Sequence, residues 1–192
     1  MIFDNQGQRK YLTPKERDRF IQASLKLTLA EQTFCLLLAY SGCRPSEALE
    51  LPKGRLDMEM RAVVIRSLKK RRIEAVYRVI PLPEWVLEKL YQHSRRLSEH
   101  DRLWPWSRGK GWYVVKRVIA TLELSGTHAC PKGLRHGFGV ASVQAGVPLN
   151  LVQRWLGHEK LETTAIYANA IGDEEREIAK RFWGEHGSQP KA

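Results

Sequence analysis

Two arginines, a lysine, a histidine and a tyrosine stand in this 192-residue sequence at spacings that suit one piece of chemistry. The run Lys132-Gly-Leu-Arg135-His136 is followed by Leu156-Gly-His158 and then by Tyr167. His158 lies 23 residues after Arg135, and Tyr167 nine residues after His158. Upstream sits Gly42-Cys-Arg44-Pro-Ser-Glu47. The chemistry is attack on a phosphodiester by a side-chain nucleophile. Such a phosphate is anionic and gathers more charge on its non-bridging oxygens as it becomes pentacoordinate. A guanidinium stays charged, and its planar fork matches two oxygens at once. Two of them, Arg44 and Arg135, can clamp one phosphate from two sides, each worth about 3–4 kcal/mol in activation energy.

Tyr167 is the candidate nucleophile. A phenol has a pKa of about 10 and needs cationic neighbours or a base to attack at neutral pH. The sequence has six tyrosines, and Tyr167 alone follows the Leu-Gly-His step. His158, after Gly157 at a helix end, can project toward a phosphate. His136 is assigned to the core or to a supporting position beside Arg135. Glu47, one helical turn from Arg44, can brace that guanidinium. The leaving 5′-oxygen needs a proton, and a lysine on a mobile hairpin can deliver it. Lys69 is the candidate, with Lys70 as alternate. Lys70, Arg71 and Arg72 also suit salt-sensitive contacts with a DNA backbone. Taken one at a time, each residue has an ordinary structural reading: a surface arginine, a packed tyrosine, a loop histidine, a solvated basic turn. The set and its spacing carry the reading.

These side chains need elements to hold them. Thr13-Pro14-Lys15-Glu16 is a capping box with proline at the first helical position, opening a helix over 14–27. Residues 31–41 form a second, apolar helix that Gly42 ends. Pro45 starts a short helix carrying Glu47 and ending near 51–52. Two β-branched runs, 62–65 and 75–80, flank Lys69-Lys-Arg-Arg72 and read as a hairpin with a basic turn. Further helices are expected over 83–97, 112–124, 134–145, 148–156 and 163–170, with a loop over 103–111 and a terminal helix over 174–183. Gly146 and Gly157 close two of them. The fold class is α+β, mainly α-helical with a small antiparallel β-sheet.

The totals agree with a nucleic-acid partner. Lys and Arg number 32 against 21 Asp and Glu, a net charge of +11. Such an excess calls for an acidic partner, nucleic acid first and an anionic membrane surface second. No apolar run reaches about 18 residues, and no long basic amphipathic helix is present, so the expectation is no membrane partner. The start of the sequence has neither the basic region nor the apolar core of a signal peptide. Three cysteines, Cys35, Cys43 and Cys130, argue against a disulfide framework and for reduced thiols in the cytoplasm. Cys130 lies near His128 and His136, but a fourth ligand at suitable spacing is missing.

From residue 10 to the terminal helix the sequence resembles the catalytic domain of the tyrosine recombinases, the phage integrase family. The resemblance implies that Arg44 is the first catalytic arginine, Lys69 the hairpin lysine, Arg135 the second arginine, His158 the His/Trp position and Tyr167 the nucleophile. Lys132 stands where the family usually has histidine, three residues before Arg135. Lysine is an accepted variant there but cannot serve as a near-neutral acid or base. The implied reaction is site-specific recombination by transesterification through a 3′-phosphotyrosine, with no metal and no cofactor. The implied partner is double-stranded DNA, engaged by a homotetramer on paired sites, with the C-terminal helix exchanged between protomers. Residues 1–183 are expected to be the catalytic domain and 184–192 a disordered tail. The helical core-binding domain that usually precedes it is expected to be absent, as in a catalytic fragment or a naturally short recombinase. The location implied is cytoplasmic, at the nucleoid. The alternatives are a DNA-binding accessory protein that keeps the fold without strand exchange, and a type IB topoisomerase.

Overall fold

The computed structural model describes residues 2–68 and 75–169. The Thr13 cap forms as expected: Glu16 N–H donates to Thr13 Oγ1 at 3.3 Å, and Thr13 N–H donates to Glu16 Oε2 at 2.8 Å. Helix α1 spans Pro14–Ser24. It stops short of residue 27 because Leu25, Lys26 and Leu27 turn back onto the carbonyls of Ile21, Ala23 and Ser24. Helix α2, Leu29–Ser41, runs through the centre and packs against α1 and four later helices. Its leucines are buried on every side except at its start, which explains its lack of a polar face. Gly42 closes it with φ 62°, and a Cβ there would collide with the Phe138 ring. Conformation and crowding both require glycine.

Helix α3, Pro45–Leu49, follows at once. A 3₁₀ turn at Lys53–Arg55 leads into β1, Leu56–Asp57, a two-residue strand that the sequence reading did not include. Strands β2, Ala62–Arg66, and β3, Tyr77–Pro81, complete a three-stranded antiparallel sheet in the order β1-β2-β3. The register pairs Leu56 with Val63, and then Val63 with Ile80 and Ile65 with Arg78. Strand β3 alternates strictly, with Arg78 and Ile80 on the buried face. The expected basic turn, with Lys69, Lys70, Arg71 and Arg72, lies outside the described residues. So do the expected terminal helix over 174–183 and the tail.

Helix α4 spans Glu84–Ser94. Helix α5 spans Arg108–Thr121, so the expected loop over 103–111 ends four residues early. Ser107 caps it by accepting from Lys110 N–H at 3.2 Å. Gly109 and Gly111 both lie within the helix. Gly111 lets α5 lie close on α2, since a Cβ there would stand 3.0 Å from Phe34. Helix α6 spans Pro131–Gln144, starting three residues before the expected 134 because Pro131 occupies its first turn. Helices α7, Leu149–Leu156, and α8, Glu162–Ala165, follow, and a 3₁₀ turn at Ile166–Asn169 carries Tyr167.

The apolar interior forms two clusters. The larger gathers α1 to α6 with the sheet around Phe34, Leu37, Ile65, Leu87 and Trp104. The smaller joins Ile2, Tyr11, Phe138, Val152, Leu156 and Tyr167. Among the described residues no helix is long and apolar enough to cross a membrane.

Candidate active site

Arg44 sits at the N-cap of α3, one residue beyond the Gly42-Cys43 turn. Glu47 holds it twice. Oε2 accepts from the Arg44 backbone N–H at 2.8 Å, and Oε1 accepts from Nη1 at 3.0 Å. Bracing of Arg44 by Glu47 is therefore present, but Glu47 is no surface residue: it is 2% exposed. Its second cation is Arg78, whose Nη2 lies 2.6 Å from Oε2. Burial alone would raise the Glu47 carboxyl, but Arg78 and Arg44 outweigh it and hold the group below the usual carboxylate range.

Arg135 lies one turn into α6, 8% exposed. Nη1 donates to the Gly42 carbonyl and Nη2 to the Leu156 carbonyl, each at 2.6 Å. Both carbonyls belong to the last turns of helices, α2 and α7, and have no intrahelical donor. One side chain thus ties together the two glycine-closed helix ends that present Arg44 and His158. Burial, and then Arg44, push its guanidinium down to about 10. It remains a cation at neutral pH.

Gly157 closes α7 with φ 66° and turns the chain into His158. His158 Nδ1 lies 2.9 Å from Thr164 Oγ1, and its ring stacks on Tyr167 with centroids 6.2 Å apart. Tyr167 is 1% exposed. Its ring lies over Gly139 of α6, where a Cβ would come within 2.6 Å of it. Its hydroxyl stands 3.0 Å from His136 Nδ1. Burial pushes the phenol up, against the pull of Arg135 and Arg44. His136 is pushed down to about 4, first by burial and then by Lys132 and Arg135.

Arg44, Lys132, Arg135, His136 and His158 line one cleft of about 510 Å³. Arg108 and Trp112, from the start of α5, form part of its wall. Tyr167 lies behind the wall, in contact with His136 and His158. A smaller cavity of about 170 Å³ adjoins His158 and is lined also by Ser67, Val76 and Arg78. The described ends of β2 and β3, closed by a Ser67 N–H to Val76 carbonyl bond of 2.8 Å, therefore reach the same site. Lys69 itself is outside the described residues. No group of three or more His, Cys, Asp or Glu side chains assembles among the described residues, and Cys130 Sγ donates to the Thr127 carbonyl.

Sequence reasoning missed Arg78, Arg108, Trp112, Gly139 and Thr164. A signal existed for Arg78: it is in phase with Ile80 on an alternating strand, a cation where the core face should be apolar. Gly139 carried no local signal, since it acts through Tyr167, which is distant in sequence.

Two cationic forks and a histidine line one cleft, with a tyrosine against the back of its wall, an arrangement whose chemistry suits an anionic group such as a phosphodiester. Residues 10–173 match the family model described as phage integrase family. The chain belongs to that family. Among curated relatives, "Tyrosine recombinase XerA" of Thermococcus kodakarensis is 28% identical over 185 residues, 90% of this chain and 62% of that protein. "Tyrosine recombinase XerD" of Haemophilus influenzae is 27% identical over 189 residues, with the same shares of 90% and 62%. The chain thus spans under two thirds of the length of these relatives. Two solved structures share the fold. A crystal structure of XerA recombinase superposes with a TM-score of 0.74 at 20% identity, covering 91% of this chain and 65% of that one. XerH site-specific recombinase bound to a palindromic difH substrate, in a post-cleavage complex, gives 0.77 at 21%, covering 91% and 54%.

Proposed function

We propose that this chain is the catalytic part of a site-specific DNA recombinase that cleaves and rejoins strands through a 3′-phosphotyrosyl intermediate. The observation that carries this reading is that Arg44 and Arg135, 91 residues apart in sequence, face one cleft with Lys132 and His158 while Tyr167 stands against its back wall. In this reading Arg44 and Arg135 clamp the scissile phosphate and stabilise the charge of the pentacoordinate transition state. His158 and Lys132 add donors from the same cleft. Tyr167 is the nucleophile, and Lys69 protonates the leaving 5′-oxygen. Glu47 orients Arg44, and Lys70, Arg71 and Arg72 contact the DNA backbone. Since Tyr167 is buried, its segment must move as DNA seats.

The partner is double-stranded DNA, engaged at two sites by a homotetramer, with residues 174–183 exchanged between protomers. The setting is the cytoplasm and its nucleoid. Membership of the phage integrase family and the names of the relatives support this reading, as does the net charge of +11. The test is covalent capture. The chain is mixed with a pool of duplexes that have a randomised core and a 5′-bridging phosphorothiolate, and SDS-stable adducts are collected and sequenced. An adduct on Tyr167, absent from Tyr167→Phe, is expected. No adduct, or one that persists in Tyr167→Phe, sinks the assignment.

A further inference from the structure

Lys132 occupies the position where the family usually has a histidine, and an ammonium has no lone pair to offer a proton. The nucleophile nonetheless needs a base. The described residue whose ring nitrogen stands by the Tyr167 hydroxyl is His136, with Nδ1 at 3.0 Å. His136 also lines the cleft in which Arg44 and Arg135 lie, so one ring faces both the phenol and the space for the phosphate.

We propose that His136 is a catalytic residue: Nδ1 accepts the phenolic proton of Tyr167 during strand cleavage and returns it during rejoining. This rests on the recombinase reading given above. In the cleavage step the bond from Tyr167 Oη to phosphorus forms, and the bond from phosphorus to the 5′-oxygen breaks. The phenolic proton passes to His136 Nδ1, and the 5′-oxygen takes a proton from the hairpin acid. In rejoining, a 5′-hydroxyl attacks phosphorus and gives its proton back to the hairpin group, the bond from phosphorus to Tyr167 Oη breaks, and the departing Tyr167 oxygen recovers its proton from His136.

The surroundings suit this role. A ring that accepts at Nδ1 must be neutral, with its own proton on Nε2. Burial, Lys132 and Arg135 on α6, and Lys10 from the N-terminal segment all disfavour the imidazolium. The other ring against Tyr167 is His158, whose Nδ1 already faces Thr164. Once an anionic phosphate lies between Arg44 and Arg135, its charge opposes theirs and makes His136 more basic at the moment a base is needed. Transfer across about 3 Å meets the geometric requirement for general-base catalysis.

Two measurements test this. The first uses the duplex recovered by covalent capture, in its phosphate and phosphorothiolate forms. A sulfur leaving group needs no protonation, so a defect in the acid is relieved by sulfur and a defect in the base is not. His136→Asn keeps a polar group near the position of Nδ1 but removes the base. Expected are a loss of roughly 10²-fold or more in single-turnover adduct formation on both substrates, DNA affinity within about threefold of wild type, and partial rescue of His136→Ala by free imidazole. Wild-type rates for His136→Asn, or full relief by sulfur, would overturn the proposal. If wild type forms no adduct at all, the recombinase reading fails, and the second measurement still decides the histidine's state. Ring ¹⁵N spectra of the full chain without DNA should show His136 as the Nε2–H form at pH 7, with its Nδ1 resonance displaced in Tyr167→Phe. A protonated Nδ1 would overturn the proposal as well.

Discussion

Arg78 Nη2 lies 2.6 Å from Glu47 Oε2, with both side chains almost wholly withdrawn from solvent. The same guanidinium donates through Nε to the Trp155 carbonyl at 2.7 Å and lies against Gly157, the residue before His158. Glu47 in turn holds Arg44. A strand residue thus connects the mount of one cationic fork to the turn that presents the cleft histidine. Replacing Arg78 by methionine leaves Glu47 buried with only Arg44 beside it. Breaking a buried pair in this way typically costs about 3–5 kcal/mol. Urea unfolding at pH 7 should show a loss of that order, and Arg78→Lys should recover only part of it, because an ammonium cannot serve Glu47 and Trp155 with one planar fork. A loss under about 1 kcal/mol for Arg78→Met would contradict this reading.

The two arginines of the cleft should separate in their effects on stability. Arg135 satisfies the Gly42 and Leu156 carbonyls, and each would be left unpaired in Arg135→Ala at about 1–3 kcal/mol. The Arg44 side chain is 38% exposed, and its buried partner Glu47 keeps Arg78 when Arg44 is removed. Thermal melts should therefore show Arg135→Ala clearly lowered and Arg44→Ala within a few degrees of wild type, while both lose cleavage. Equal melting temperatures would mean that Arg135 is not the tie between α2 and α7.

Acid should weaken the fold in two stages. His136 is held at about 4 in the folded chain against an ordinary 6.5. The unfolded chain therefore binds the extra proton first, and stability falls as pH drops through that interval. Glu47, held below the usual carboxylate range, contributes stability at neutral pH that is lost at lower pH, as the carboxyl is protonated. Denaturation midpoints between pH 7 and 3 should decline in both ranges for wild type. His136→Asn should flatten the first stage and leave the second. An unchanged first stage in that variant would show that some other group titrates there.

Gly139→Ala tests how tightly Tyr167 is seated. The added methyl would stand 2.6 Å from the ring, closer than packed carbons approach, so the tyrosine must give way. Overpacking of this kind costs about 1–3 kcal/mol. Nitration of Tyr167, followed by peptide mapping, should be faster in Gly139→Ala than in wild type. Equal rates would show that the seat accommodates the methyl group.

Much of this molecule was readable without coordinates. The capping box at Thr13, the closures at Gly42 and Gly157 and the alternation of β3 are local events, governed by a few adjacent dihedrals and hydrogen bonds. Local pattern also offered Arg44, Arg135, His158 and Tyr167 as candidates, because their spacing follows from the helices and turns between them. Errors fell where a distant surface outweighed local preference. Gly109 and Gly111 belong to a helix because Gly111 packs on Phe34, and β1 exists because Val63 offers Leu56 a partner.

What the sequence alone determined was the set of groups that could act and the short elements that carry them. Only the tertiary structure decided their relations. Glu47 is interior because Arg78 reaches it from a strand 31 residues away, and a carboxylate is tolerated there only with such a partner. His136 stands against Tyr167 because α6 and the last described turn pack through Gly139, which has no side chain to keep them apart. Burial and pairing depend on groups remote along the chain, and no local pattern encodes them.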